Sequence, residues 1–250
     1  MPHLLIEAYL DESDEDGLMI FCDVEKAFDT CSWDYLTQAT QELGFSGQMQ
    51  DWFEMLYNKY QPPTRRLCIN GERGPSFTLN SGVPQGDPLS PLAFLFITEA
   101  FTRLIEEDEL LQGIEIGGFM HLISQFADDT VMYLSGFAQL PRMWELIGIW
   151  EQATGMRLNR TKTEGLAVGG LKGLTYSGPG SEGIKWVKPG DYVVSLGIPI
   201  GVNFDSREFF RAKYFKCKSL LSSWLSLGHV TPFGRATPGS AAATPGGRPC

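Results

Sequence analysis

The sequence predicts an α+β fold in which an antiparallel sheet is backed by helices. Three observations carry that expectation. A continuous apolar run, Leu18 to Cys22, suits a strand buried on both faces that ends at Asp23. Two β-rich segments, His121 to Phe126 and Thr130 to Leu134, flank a short Ala-Asp-Asp link and read as a tight antiparallel hairpin. Between the strands lie helical segments with marked ends, among them Ser32 to Gly44 and Ser90 to Glu107.

Taken in order, residues 1–17 read as a short helix and an acidic turn. After the first strand, Ser32 caps a helix that Gly44 stops. A second helix is expected from Gln48 to Tyr60, with Trp52, Phe53, Met55, Leu56 and Tyr60 on its apolar side and Pro62-Pro63 ending it. A hairpin turning near Asn70-Gly71 follows. A Gly/Pro loop then leads into the apolar helix from Ser90. Beyond the acidic hairpin come a helix over Leu140 to Thr154, a turn and strand in "GMRLNRTKTEGLAVGG", and a Gly-rich, loose loop over 169–190. "YVVSLGIPIG" is a strand and turn, and "SREFFRAKYFKCKSLLSSWLS" a basic amphipathic helix. From Thr231 the chain is dense in Pro, Gly, Ala and Thr and is expected to be disordered.

With 250 residues, 43% of them hydrophobic, the chain can bury a sizeable core. No apolar run reaches bilayer length, and the start has no basic region followed by an apolar core, so neither a membrane span nor a secretory signal is expected. The cysteines (Cys22, Cys31, Cys68, Cys217, Cys250) show no CxxC pair, which argues for reduced thiols in an intracellular protein and against structural zinc. The net charge of −10 argues against a plain nucleic-acid-binding surface. The charge is polarised, however: residues 1–30 hold nine acids against Lys26, and residues 206–250 hold seven bases against Glu208.

The chemistry centres on the acids. Two ionised carboxylates about 4 Å apart repel by roughly 4 kcal/mol at an effective dielectric near 20. Solvent at an exposed turn or a bound divalent cation can offset that repulsion. If the strand ending at Asp23 neighbours the hairpin carrying Asp128 and Asp129, three hard carboxylates meet at one sheet edge. Such a set suits Mg²⁺, which keeps waters and takes substrate phosphates as its remaining ligands. A pair of such ions can activate a hydroxyl and steady a leaving pyrophosphate. A lone Asp-Asp pair is more often a solvated turn.

The stretches "FCDVEKAFD", "GVPQGDPLSPLAF", "QFADDT", "GMRLNRTKTE" and "SLGIPIG" occur in that order over residues 18–227. As a set they resemble the consecutive palm motifs of reverse transcriptases, above all the non-LTR (LINE-type) retrotransposon branch. The resemblance implies a polymerase palm-like sheet and RNA-directed DNA synthesis from deoxynucleoside triphosphates with Mg²⁺, or Mn²⁺ in its place. An RNA template and a DNA primer are the partners it implies. It makes Asp23 a metal ligand assisted by the Val24 carbonyl, Asp128 the second shared ligand, and Asp129 a less directly engaged partner. Phe28 falls where the family places a ring that excludes a 2′-hydroxyl, although periodicity alone reads it as core. Gln85 and Gly86 fall in the nucleotide- and template-contacting loop, where many relatives have Cys in place of Asp87. Lys162 matches the lysine that protonates the departing pyrophosphate, and Leu196-Gly197 the turn that grips the primer.

The same resemblance divides the chain into an acidic segment (1–17), a palm (18–205), the start of a thumb (206–230) and a disordered tail (231–250). It implies that the fingers are largely missing and the thumb truncated, so the isolated chain is expected to be inactive. The alternatives are a catalytically dead remnant that binds nucleic acid or a protein, and a nucleotidyl cyclase, for which "QGDPLSP" has no purpose. Nucleus and cytoplasm, and the oligomeric state, stay open.

Overall fold

A computed structural model of the chain describes residues 16–116 and 118–226. The expected helix and turn of the first 17 residues fall almost wholly outside the described residues, and the expected disordered tail from 231 falls wholly outside them. The elements begin with β1 (Gly17–Glu25), a single turn α1 (Ala27–Thr30), α2 (Trp33–Glu42) and α3 (Gln48–Leu56). The hairpin β2 (Thr64–Ile69) and β3 (Glu72–Thr78) precedes the long helix α4 (Ser90–Glu106). Then come β4 (Ile114–Ile116), β5 (Phe119–His121), β6 (Ile123–Phe126), β7 (Asp129–Leu134) and α5 (Leu140–Thr154). The last are β8 (Arg157–Leu158), β9 (Glu164–Val168), β10 (Lys185–Trp186), β11 (Val193–Ser195), β12 (Ile198–Ile200) and α6 (Ser206–Ser226).

The fold is α+β, as the sequence predicts, and it divides into two compact units. The larger takes in the described residues up to Pro63 together with Leu79–Phe204; the smaller takes in Thr64–Thr78 and the described residues from Asp205.

The larger unit is built on a six-stranded sheet of order β10-β9-β1-β7-β6, with β8 paired to the end of β1. Every pairing is antiparallel except β9 with β10. The central place of β1 explains its unbroken apolar run, because both its faces are covered. Leu18, Ile20, Cys22 and Val24 point to a core shared with Leu36 of α2, Phe94, Ile97 and Phe101 of α4, and Ile147 and Trp150 of α5. Met19 and Phe21, alternating with them, join Val131, Tyr133, Leu166 and Val168 beneath Ile114, Val193 and Ile200. Burial of a large apolar side chain contributes about 1.5–3 kcal/mol, so a one-residue slip of β1 would move both cores at once.

β1 does not stop at Asp23 but runs two residues further, because β8 offers a second partner: Val24 pairs with Leu158 and Glu25 with Arg157. The expected strand from His121 to Phe126 is split at Leu122, since Phe119–His121 pairs with β4 and Ile123–Phe126 with β7. α3 ends four residues before Tyr60. The Asn58 side chain accepts from the Tyr60 and Gln61 N–H groups (2.8 and 3.2 Å), a local turn that competes with the next helical turn. Of its expected apolar side Phe53 is fully buried and Leu56 half-buried, while Trp52, Met55 and Tyr60 are exposed.

The 169–190 segment is not a loose loop. Phe137 stacks on Tyr176 (4.6 Å between centroids) and meets Trp186 edge-on at 5.2 Å. The Trp186 indole N–H donates to the Tyr176 carbonyl (3.0 Å), and the Trp144 indole N–H to the Gly180 carbonyl (2.6 Å). Gly165 lets Trp186 lie flat on β9, since a Cβ there would stand 2.6 Å from its ring. Aromatic packing thus orders a stretch whose glycine content alone suggests freedom.

In the smaller unit, Asn70 and Gly71 both take positive φ (52° and 85°) and turn the β2–β3 hairpin, as Asn-Gly does in a type I′ turn. α6 carries Arg207, Arg211, Lys213, Lys216 and Lys218 among exposed Phe210, Tyr214 and Trp224. No described helix is long and apolar enough to cross a membrane.

Candidate active site

The acid hairpin turns on two residues, Ala127 and Asp128, because Phe126 and Asp129 already pair across the ladder. Asp129 also faces Asp23 directly on the neighbouring strand β1. Directly opposed residues of an antiparallel pair project to the same face. The two carboxylates therefore share the face opposite the helices, at the end of the row Met19, Phe21, Asp23. Asp129 and Asp23 line one cleft; Asp128 sits half-buried at the bend beside it.

Lys162 closes the site from a segment far away in sequence. Asn159 N–H donates to the Asp23 carbonyl (2.8 Å), and Lys162 N–H donates back to the Asn159 carbonyl (3.0 Å). The turn so formed carries the Lys162 ammonium to 2.9 Å from Asp23 Oδ2. The hydrogen bond to that carboxylate, with its charge, raises the Lys162 pKa above the ordinary lysine value. The lysine side chain is 65% exposed and the aspartate 33%, so the pair adds little stability. It is a matter of placement.

The thiol beneath the site is inert. Burial pushes the Cys22 pKa up to about 12, against a smaller opposing effect of its hydrogen bond with Thr163, so Cys22 stays protonated on the helix side of the sheet. Among the described residues no three His, Cys, Asp or Glu side chains gather into a metal-ligating group. The donors present are the facing pair Asp23 and Asp129, with Glu164 of β9, the ladder partner of Phe21, in the same cleft. Two hard carboxylates on one solvent-open face fit a divalent ion such as Mg²⁺ that retains waters and substrate oxygens.

The other expected residues form a second group. The Val83 N–H donates to the Phe28 carbonyl (2.6 Å), and the Gly82 N–H to that of Cys31 (2.9 Å), which ties the Gln85-Gly86 loop to α1. Gln85 and Gly86 are exposed, and the Phe28 ring is half-buried on Phe94 (4.7 Å, 20°). None of these three lines the acid cleft. The Val24 side chain points into the helix-side core. Asp87 accepts from the Leu89 N–H (2.9 Å), so its carboxylate helps start α4. Leu196 and Gly197 turn β11 into β12 with φ of 48° and 84°, and Ser195 before them lines the cleft.

Two more residues contribute, one from the "QFADDT" stretch and one from outside every motif. Gln125 links α4 to β7 beside the acids: its side-chain oxygen accepts from Thr102 Oγ1 (2.6 Å) and its amide donates to Thr130 Oγ1 (3.1 Å). Lys185 of β10 lines the cleft from within the Gly-rich segment. Five described non-glycine residues take positive φ, and two of them are asparagines, which tolerate it. The other three are Lys26 just after β1, Ala127 at the acid bend and Leu196 at the turn. Strain of this kind gathers at functional sites. Leu196→Asn gives the type I′ turn its preferred residue, so a gain of about 0.5–1 kcal/mol in urea unfolding is expected.

The family model described as "Reverse transcriptase (RNA-dependent DNA polymerase)" matches residues 2–198. The chain is 26% identical over 187 residues to the transposon TX1 149 kDa protein of Xenopus laevis, covering 73% of the chain and 14% of that protein. It is 26% identical over 182 residues to the Pol polyprotein of retrotransposable element R2 of Popillia japonica, covering 68% of the chain and 24% of the polyprotein. It thus spans a quarter or less of the length of these relatives. Among solved structures, the telomerase of Candida tropicalis in complex with a TWJ fragment of telomeric RNA superposes with a TM-score of 0.54 at 13% identity. That match covers 82% of the chain and 32% of the telomerase chain, and shows a shared fold. With its acids facing each other on the central strands and the family match over residues 2–198, the chain belongs to the reverse transcriptase family, in the company of non-LTR retrotransposon Pol proteins.

Proposed function

We propose that this chain supplies the catalytic palm for template-directed transfer of a deoxynucleotide to a primer 3′ end, with RNA as template. The observation that carries the proposal is the register that sets Asp23 opposite Asp129. These two would hold Mg²⁺, or Mn²⁺ in its place, with Asp128 at the adjoining bend as a further donor. The bound ion supplies Lewis-acid activation of the 3′-hydroxyl and charge neutralisation at the phosphates.

The chain's own groups do the rest. Lys162 holds a proton ready for the departing pyrophosphate, and its hydrogen bond to the Asp23 carboxylate holds that proton more tightly than in a free lysine. Because its folded pKa is raised, loss of that proton belongs to the alkaline side. Gln85 and Gly86 stand on a loop anchored to Phe28 through Val83, which supports a shared role for all three at the nucleotide. The turn at Leu196-Gly197, one residue from the cleft, suits contact with the primer end.

Extension of a DNA primer on an RNA template, with deoxynucleoside triphosphates and Mg²⁺, tests the proposal. Elongated product that disappears with EDTA is the result this proposal predicts, against the sequence-based expectation of an inactive isolated chain. Absence of elongation, with primer–template still bound in a gel shift, would leave the chain a nucleic-acid-binding remnant.

A further inference from the structure

The cleft contains a second cation to which the polymerase reading gives no task. Lys185 opens β10, and its backbone is fixed: its N–H donates to the Thr163 carbonyl (3.0 Å), and it lies in parallel register with Glu164. The next residue, Trp186, is locked by its indole hydrogen bond and by the Phe137 ring. Lys185 therefore stands on a rigid edge, in the same cleft as Asp23, Asp129 and Lys162.

The two lysines differ in their commitments. Lys162 is spent on Asp23 at 2.9 Å. Among the described residues Lys185 has no ion-pair partner, although Glu164 is its neighbour in register. Charge balance at Asp23 is already met by Lys162, so Lys185 is free to serve a group that enters the cleft. A polyphosphate meets both needs. Its oxygens can be neutralised on one side by a divalent ion on the acids and on the other by an ammonium, whose charge-assisted hydrogen bonds are the strong kind.

The geometry points to Lys185 as a phosphate-binding residue of this cleft, taking the diphosphate portion of an incoming nucleoside triphosphate or the pyrophosphate released from it. The assignment rests on the proposed polymerase function. The competing account is an ordinary lysine on a sheet edge, solvated and without a ligand. Lys188 offers the comparison, because it is exposed, three residues away and not part of the cleft wall.

Calorimetric titration of the whole chain, without primer, separates these accounts. The probes are magnesium pyrophosphate and, in a second arm, magnesium dTTP. Lys185→Gln is expected to weaken pyrophosphate binding about tenfold, which is about 1.4 kcal/mol. Lys185→Arg should recover most of it, and Lys188→Gln should change nothing. Equal losses for pyrophosphate and dTTP mark a residue that serves substrate and product alike; a loss for pyrophosphate alone assigns it to the product. Unchanged pyrophosphate binding in Lys185→Gln, an equal loss in Lys188→Gln, or no binding by the unaltered chain overturns the inference. Lys185-dependent pyrophosphate binding without primer extension would remove the polymerase reading and keep this site. Extension with a pyrophosphate affinity indifferent to Lys185 would do the reverse.

Discussion

Asp23→Asn is expected to abolish Mg²⁺-dependent primer extension while leaving the fold intact. The substitution keeps side-chain shape and the β1 ladder, including the pairing with Asp129 and the carbonyl that accepts from Asn159. What it removes is the charge of one of the two facing carboxylates. Metal-assisted stabilisation of the transition state is worth several kcal/mol, and each 1.36 kcal/mol is tenfold in rate. A loss of about a thousandfold or more follows. The lost ion pair with Lys162 is solvent-exposed and costs little stability, so the thermal midpoint should barely move. Extension within tenfold of the unaltered chain would mean that Asp23 holds no catalytic metal.

Gly82→Ala should destabilise the larger unit by about 3–5 kcal/mol, a large part of the roughly 5–15 kcal/mol by which domains are stable. Gly82 has φ of +80°, where a Cβ is strained by about 1–2 kcal/mol. Its added Cβ would also stand 2.5 Å from the Asp29 carbonyl oxygen and 2.7 Å from the Asp29 Cα, backbone atoms that cannot rotate away. Relief requires the loop to move. That movement breaks the Gly82 N–H bond to Cys31 (2.9 Å) and the Trp33 indole bond to the Gly82 carbonyl (2.7 Å), each worth about 1 kcal/mol and more when a buried partner is stranded. Gly86 is the control. Its φ is +89°, but an added Cβ meets nothing within 4 Å, so Gly86→Ala should cost only the backbone strain. Urea unfolding of the two variants reads the difference; equal costs would contradict the anchoring of the loop through Gly82.

What the sequence discloses about this protein is what local chemistry decides. The Leu18–Cys22 run, the Ser32 cap and Gly44 stop, the Asn70-Gly71 turn and the Leu140–Thr154 helix all have their causes within a few residues. Features decided by distant partners are not legible. β1 outruns Asp23 because β8, more than 130 residues later, pairs with its end. The 169–190 segment is ordered by Phe137 and Trp144, which its own glycines do not announce. α3 stops early because one asparagine side chain offers the backbone a better partner.

The site divides the same way. Motif order placed Asp23, the twin acids and Lys162 in one functional set, and the structure brings Asp23, Asp129 and Lys162 into one cleft across 139 residues of separation. Which of the twin acids faces Asp23 depends on whether the bend has two residues or three, and a shift of one residue reverses every side chain. The bend has two, so Asp129 takes that place. Lys185 had no signal, because it lies in a stretch that reads as loop and owes its position to Trp186 packing on Gly165.

Asp23 and Asp129 must act together as the seat of a divalent ion, and Mn²⁺ titration followed by electron paramagnetic resonance addresses that directly. The unaltered chain should bind Mn²⁺, and the double variant Asp23→Asn/Asp129→Asn should bind it at least about a hundredfold more weakly, as loss of primary ligands exceeds the 10–100-fold range seen for their supporting shell. A double variant with the same change of charge elsewhere, Asp51→Asn/Glu54→Gln on α3, should bind it unchanged. Equal Mn²⁺ affinity in the unaltered chain and the Asp23/Asp129 double variant would show that the facing carboxylates are a solvated sheet edge and not a metal site.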